Sequence, residues 1–132
     1  MKAVVMDATW SPRPGYQITE QEKRTGLARQ ACGVFKNPTF RVEQIEQPTP
    51  GLGEGLIKVG AVGVCGSDTH CYETDDEGYM LFSGPVSLPS VLGHEYTGTV
   101  VALGPGVVEM EVGDLVAAEG MLYCGVCEAC RT

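Results

Sequence analysis

Both histidines of this sequence and the cysteine Cys65 stand in a single short stretch, and their types and spacing suit a metal ion. The stretch opens with Val64-Cys65-Gly66-Ser67-Asp68-Thr69-His70 and closes with Leu92-Gly93-His94-Glu95. Thiolate, imidazole and carboxylate are the ligand types a borderline-soft ion such as zinc accepts. A catalytic zinc site needs three protein ligands and keeps a fourth position open for water or substrate. Cys65 and His94 supply two, with Glu95 a third ligand or an acceptor that orients the site. Ser67 or Asp68 reads as the N-cap of a short helical turn, on which positions three apart share a face. A hydroxyl two residues from a metal-bound cysteine can reach an alcohol on that metal. A histidine one turn further on, His70, can pass the proton to water. That is the outline of an alcohol-oxidation site. Taken singly, such a cysteine reads as a small buried hydrophobe and such a histidine as a structural or surface residue.

A second cluster shifts that balance toward metal. In Cys124-Gly125-Val126-Cys127-Glu128-Ala129-Cys130 the thiols are three residues apart. This spacing lets neighbouring thiolates turn back onto one ion, and four such sulfurs close a structural zinc site. Three are present. The same run also begins a ferredoxin-type iron–sulfur motif, and a disulfide is the remaining reading. Zinc is favoured because the other motifs favour it.

The elements that must position these groups are short. The chain has 132 residues, enough for one domain with a real core, and 43% of them are apolar. Eighteen glycines and eight prolines point to turns and short strands. A net charge of −8 and a pI near 4.6 argue against nucleic acid and anionic membranes as partners. The apolar run at Ala3-Val4-Val5-Met6 is too short for a signal peptide, and no segment reaches membrane-spanning length. Three of the six cysteines crowd into seven residues, so ligands are favoured over bridges and the cytoplasm is the expected compartment.

Residues 2–7 read as a first strand. Residues 8–38 read as a surface excursion, in which Thr19-Glu20-Gln21-Glu22 forms a capping box opening a helix toward Gln30, weakened by Gly26. Thr39 to Glu46 resumes strand character. Leu56 to Val64 is nearly continuous apolar, as expected of a strand buried on both faces, and it delivers Cys65 at its end. A long loop follows over residues 72–90. Its acidic run Glu73-Thr74-Asp75-Asp76-Glu77 is either a solvated face or a rim of the substrate cleft. Tyr96 to Leu103 is a strand, Val107 to Val112 continues in β rhythm, and Leu115 to Ala118 is the last strand. The fold class expected is mainly β, a partly open barrel with short helices. No G-x-G-x-x-G follows a strand, so no dinucleotide fingerprint is present.

In order and spacing, Cys65-Gly66-Ser67-Asp68 with His70, Gly93-His94-Glu95, Val112-Gly113-Asp114 and the cysteine trio resemble the N-terminal part of the zinc-dependent medium-chain alcohol dehydrogenases. The resemblance covers residues 1–7 and 39–130. It implies a GroES-like β-barrel over residues 1–132, truncated before the nicotinamide-binding Rossmann domain, the remaining catalytic ligand and a fourth structural cysteine. It implies Cys65, His94 and Glu95 as catalytic-zinc ligands, Ser67 and His70 as the proton relay, and Cys124, Cys127 and Cys130 as structural-zinc ligands. It further implies NAD or NADP as cofactor of the full-length protein, a small alcohol or polyol as substrate, and a homo-oligomer, dimer or tetramer. The length of segment 8–38 and the run Thr74-Asp75-Asp76-Glu77-Gly78-Tyr79 resemble the scyllo-inosose dehydrogenase branch. On these expectations the 132 residues alone bind no NAD and turn over no polyol. The competing classes are a non-catalytic zinc or co-chaperonin-like barrel module, which needs neither the Cys65/His94 pair nor the trio, and a small iron–sulfur carrier.

Overall fold

Short strands dominate the chain, as its glycine, proline and β-branched content predicts. A computed structural model describes residues 1–120 and 126–131. In chain order the elements are β1 (Lys2–Trp10), α1 (Glu20–Thr25), β2 (Leu27–Ala28), β3 (Phe35–Gln44), β4 (Gly55–Val62), α2 (Gly66–Tyr72), β5 (Val86–Ser87), β6 (Ser90–Val91), β7 (Tyr96–Leu103), β8 (Leu115–Ala117) and α3 (Glu128–Arg131). They form three open sheets, β3–β1–β6, β2–β5 and β4–β7–β8. Among the described residues no helix is long and apolar enough to cross a membrane. The chain divides into two units, one made of Met1–Gln47 with Val64–Leu92, the other of Pro48–Gly63 with the residues from Gly93 onward.

The first unit holds a packed core of Met6, Ala28, Ala31, Val34, Phe35, Cys71 and Met80. Four of these seven come from residues 8–38, which corrects the expectation of a surface excursion there. The physical reason lies in the turn chemistry. Thr19 caps α1, with Glu22 N–H donating to Thr19 Oγ1 at 3.2 Å and Glu22 Oε2 accepting from Thr19 N–H at 2.8 Å. Gly26 then ends α1 in the left-handed region at φ 68°, so the helix stops short of Gln30 and β2 can pair with β5. The returning chain carries Ala28, Ala31 and Val34 inward. Trp10 packs edge-on against Phe35, with ring centroids 5.3 Å apart.

Glu22 is the hub of this segment. Its side chain is 1% exposed, yet it is fully provided with donors. Arg29 N–H and Tyr16 Oη–H reach Oε1 at 3.0 and 2.7 Å, while Thr19 N–H, Thr19 Oγ1–H and Arg29 Nε–H reach Oε2 at 2.8, 2.8 and 3.1 Å. The Arg29 amide, then the Thr19 amide and the Tyr16 hydroxyl, hold this carboxyl far below the usual carboxylate range against the opposing effect of burial. A depressed folded-state pKa stabilises the fold above the unfolded value, about 4.3, and that stabilisation is lost as pH falls below it. Glu22→Gln should therefore lower the melting temperature at pH 7 by on the order of 5 °C, and the gap to the parent should narrow as melts are taken into the acid range. A gap that is constant with pH would refute this role.

In the second unit β4 pairs with one edge of β7, and β8 pairs with the other. Val100 is its fully buried side chain among the described residues. The expectation that Leu56–Val64 is buried on both faces is not met: β4 is an edge strand, and Val59 and Val62 are 51% and 54% exposed. An unbroken apolar run reports that both faces favour cover, whereas among the described residues nothing packs over Val59 and Val62 closely enough to bury them. Val107–Val112 forms no strand either. Gly106 and Gly113 take φ 81° and 106°, and Asp114 Oδ2 accepts from Glu111 N–H at 2.8 Å, folding the segment into turns.

Candidate metal centre

Cys65 stands at the head of α2 in the first unit and is itself the N-cap. This corrects the assignment of Ser67 or Asp68 to that position. Asp68, three residues on, closes the turn by accepting from Cys65 N–H at 2.9 Å, and Asp68 N–H donates to Cys65 O at 3.0 Å. Thr69 Oγ1–H tightens it further by donating to Gly66 O at 2.7 Å. Cys65 is half-buried, so its sulfur sits on a fixed backbone with access to a ligand. Cys71 follows on the same helix and is a different case. It is buried, its sulfur lies 3.7 Å from Ser67 O, and burial pushes its thiol up, away from thiolate character. The structure therefore separates a half-buried cysteine from a core cysteine six residues away. Ser67 and His70 both lie on α2, and His70 Nδ1 is 3.2 Å from Glu73 Oε2.

His94 and Glu95 belong to the second unit, at the bend that leads into β7. Gly93 before them takes φ 103°, a conformation that side chains rarely adopt, and a methyl there would meet Val62 at 3.0 Å. Gly63 N–H donates to Glu95 O at 2.6 Å, and a methyl on Gly63 would lie 2.9 Å from Glu95 Oε2. Glu95 thus extends its carboxylate across Gly63, where an added methyl would push the carboxylate tip aside. On the other side a methyl on Gly120 would stand 3.8 Å from the His94 ring. Both side chains line an open groove of about 690 Å³ with Ala61, Val62, Ala117 and Ala118. An imidazole and a carboxylate side by side on small apolar walls form a donor pair suited to zinc.

Of the cysteine trio, Cys124 lies outside the described residues. Cys127 and Cys130 flank the start of α3, and Cys130 N–H donates to Cys127 O at 3.1 Å. That turn brings their sulfurs to 3.3 Å, longer than a disulfide bond of about 2.05 Å. Two thiols this close can share one ion at Zn–S distances of about 2.3 Å.

One arrangement escaped the sequence reading. The acidic run is neither wholly solvated nor free at its centre, because Asp75 pairs with Arg13 and caps the amides of Glu77 and Tyr79 at 3.0 and 2.9 Å. The Arg13 guanidinium holds the Asp75 carboxyl below its ordinary range. Arg13 also lies 3.9 Å over the Tyr79 ring and donates from Nε to Cys32 O at 2.8 Å. The pair spans 62 residues of sequence, and no local motif signals it.

Residues 51–132 match the alcohol dehydrogenase GroES-like domain family. Scyllo-inosose 3-dehydrogenase of Thermotoga maritima is 40% identical over 98% of this chain and 35% of its own length. L-threonine 3-dehydrogenase of Pyrococcus abyssi is 44% identical over 80% of this chain and 30% of its own. A solved Thermotoga maritima structure assigned as an alcohol dehydrogenase superposes with a TM-score of 0.91 at 39% identity, covering 98% of this chain and 35% of that one. The chain thus spans about a third of the length of these relatives.

Proposed function

This chain belongs to the alcohol dehydrogenase GroES-like domain family of the medium-chain dehydrogenases, and on that premise we propose that it is the zinc-carrying N-terminal domain of an NAD(P)-dependent alcohol or polyol dehydrogenase. The reaction is oxidation of a secondary hydroxyl to a ketone. The observation that carries the reading is the His94–Glu95 pair set in a groove of small apolar residues. Cys65, His94 and Glu95 would be the ligands this chain contributes to the catalytic ion. Their sulfur, nitrogen and oxygen donors fit zinc, which lowers the pKa of a hydroxyl bound to it. Ser67 Oγ takes the hydroxyl proton and His70 passes it to water. The small apolar walls leave space for a substrate carbon skeleton. Residues outside these 132 hold the nicotinamide that accepts hydride. Cys124, Cys127 and Cys130 hold a second, structural zinc, whose fourth ligand also comes from outside these residues. Thiolate ligands of this kind persist in a reducing compartment, which favours the cytoplasm.

A cyclic polyol is the favoured substrate class. The relative named for scyllo-inosose aligns along nearly the whole chain, segment 8–38 included, whereas the threonine dehydrogenase relative aligns along 80% of it. Ser67→Ala in the full-length enzyme tests the division of roles. Zinc content should stay at the parent value while hydride transfer slows by about a hundredfold. Loss of zinc in that variant, or turnover equal to the parent, would remove Ser67 from the relay.

A further inference from the structure

Glu73 follows the last turn of α2, three residues after His70, and its Oε2 lies 3.2 Å from His70 Nδ1. An ionised carboxylate accepts hydrogen bonds and donates none, so this contact is a hydrogen bond only when Nδ1 carries the proton. The backbone under both residues is fixed. Phe82 N–H donates to His70 O at 2.9 Å, Leu81 N–H to Glu73 O at 3.0 Å, and Glu73 N–H to Thr69 O at 3.0 Å. Carbonyls in the last turn of a helix have no partner within it, and here segment 81–82 satisfies His70 while Glu73 satisfies Thr69. That segment is itself anchored. Met80 is fully buried with its N–H on Phe35 O at 3.1 Å, and Phe82 O accepts from Cys32 N–H at 2.8 Å. The two side chains therefore start from positions tied to the core, although their heads are about half exposed.

We propose that Glu73 is a positioning residue that holds the His70 imidazole as its Nδ1–H tautomer. Nε2 is then the one ring nitrogen able to take a proton. For its catalytic consequence this rests on the reading of His70 as the relay. A proton arriving at Nε2 converts the ring to an imidazolium, whose Nδ1–H remains on Glu73 and whose positive charge the carboxylate offsets. Release of the same proton from Nε2 to water restores the starting tautomer, so the ring need not rotate between turnovers. With Glu73 removed, a water-exposed neutral imidazole reverts to its intrinsic preference for Nε2–H, which presents the wrong nitrogen for accepting a proton.

The test is a ring-nitrogen NMR measurement on the 132-residue chain at a pH where the imidazole is neutral. The ¹⁵N shifts should show His70 mainly as Nδ1–H. Glu73→Ala should lower the ratio of Nδ1–H to Nε2–H about fivefold, the factor a net hydrogen bond supplies. Glu73→Asp, still an obligate acceptor, should retain the parent preference, and backbone amide shifts outside α2 should be unmoved in both. A parent His70 that is mainly Nε2–H, or a ratio that Glu73→Ala leaves unchanged, overturns the proposal. Turnover of the full-length enzyme separates it from the relay reading. If the tautomer responds but His70→Ala turns over like the parent, the relay reading falls and the positioning of His70 stands. If His70→Ala is slow but Glu73→Ala leaves the tautomer unmoved, the relay reading stands and the positioning role falls.

Discussion

His94→Ala in the full-length enzyme is expected to lose the catalytic zinc and with it at least about a thousandfold in turnover. The size of the effect follows from what the metal does. Acidifying a hydroxyl is worth several kcal/mol of transition-state charge, and each 1.36 kcal/mol is a factor of ten. Alanine removes the imidazole from the groove that His94 and Glu95 share with Ala61, Val62, Ala117 and Ala118. Cys65→Ser should act in the same direction, since a hydroxyl is a poor substitute for thiolate toward a borderline-soft ion. Glu95→Gln grades the role of the carboxylate: a loss of about 10–100-fold is the signature of a residue that orients the site, and a larger one marks a direct ligand. Metal analysis beside steady-state rates provides the check. Full zinc content and full turnover in His94→Ala would end the metal assignment.

Gly98→Ala is expected to destabilise the second unit by about 3 kcal/mol or more, at the upper end of what overpacking costs. Gly98 faces Val59 across the β4–β7 ladder, beside the register shift between Val59 and Ala61. A methyl group at Gly98 would run into the carbonyl oxygen of Lys58 and stand 2.7 Å from Ile57 Cγ2. The obstacle is backbone, which cannot rotate away as a side-chain tip can, so the ladder itself must open. Gly104→Ala meets the carbonyl of Gly51 in the same way. Gly66→Ala is the control, because nothing lies within 4 Å of its added carbon and its φ is ordinary. Hydrogen exchange of the β4 and β7 amides should accelerate in Gly98→Ala and stay at the parent rate in Gly66→Ala. Equal protection in all three proteins would show that the close approach is not binding.

Local chemistry was legible in the sequence, and distant chemistry was not. The Thr19–Glu22 capping box reads directly because its partners are three residues apart, and so does the short helix that carries Ser67 and His70. Tyr96–Leu103 reads as a strand because its length and β-branched content leave no competing element. The buried role of residues 8–38 did not read, because it depends on Glu22 gathering Tyr16 and Arg29 around one carboxylate, and charge in a sequence ordinarily signals surface. The Arg13–Asp75 pair was invisible for the same reason at longer range. Val107–Val112 alternates like a strand, yet Asp114 and two left-handed glycines outweigh so short a rhythm. At the head of α2 the error was one of register. Any of Cys65, Ser67 and Asp68 can open a turn, and the choice falls to the residue whose amide Asp68 can reach.

Trp10 is the single tryptophan of the chain, and its edge contact with Phe35 lies wholly within the first unit. Tryptophan emission, excited selectively at the red edge of its absorption, is consequently a spectator of one half of the molecule. A fluorescence melt records when the packing around β1 and β3 loosens and is blind to the fate of β4, β7 and β8. Circular dichroism in the far ultraviolet counts the strands of both units alike. Superposition of the two curves is the ordinary criterion for a single cooperative transition, so in this protein one indole supplies an optical means of learning whether its two units let go together.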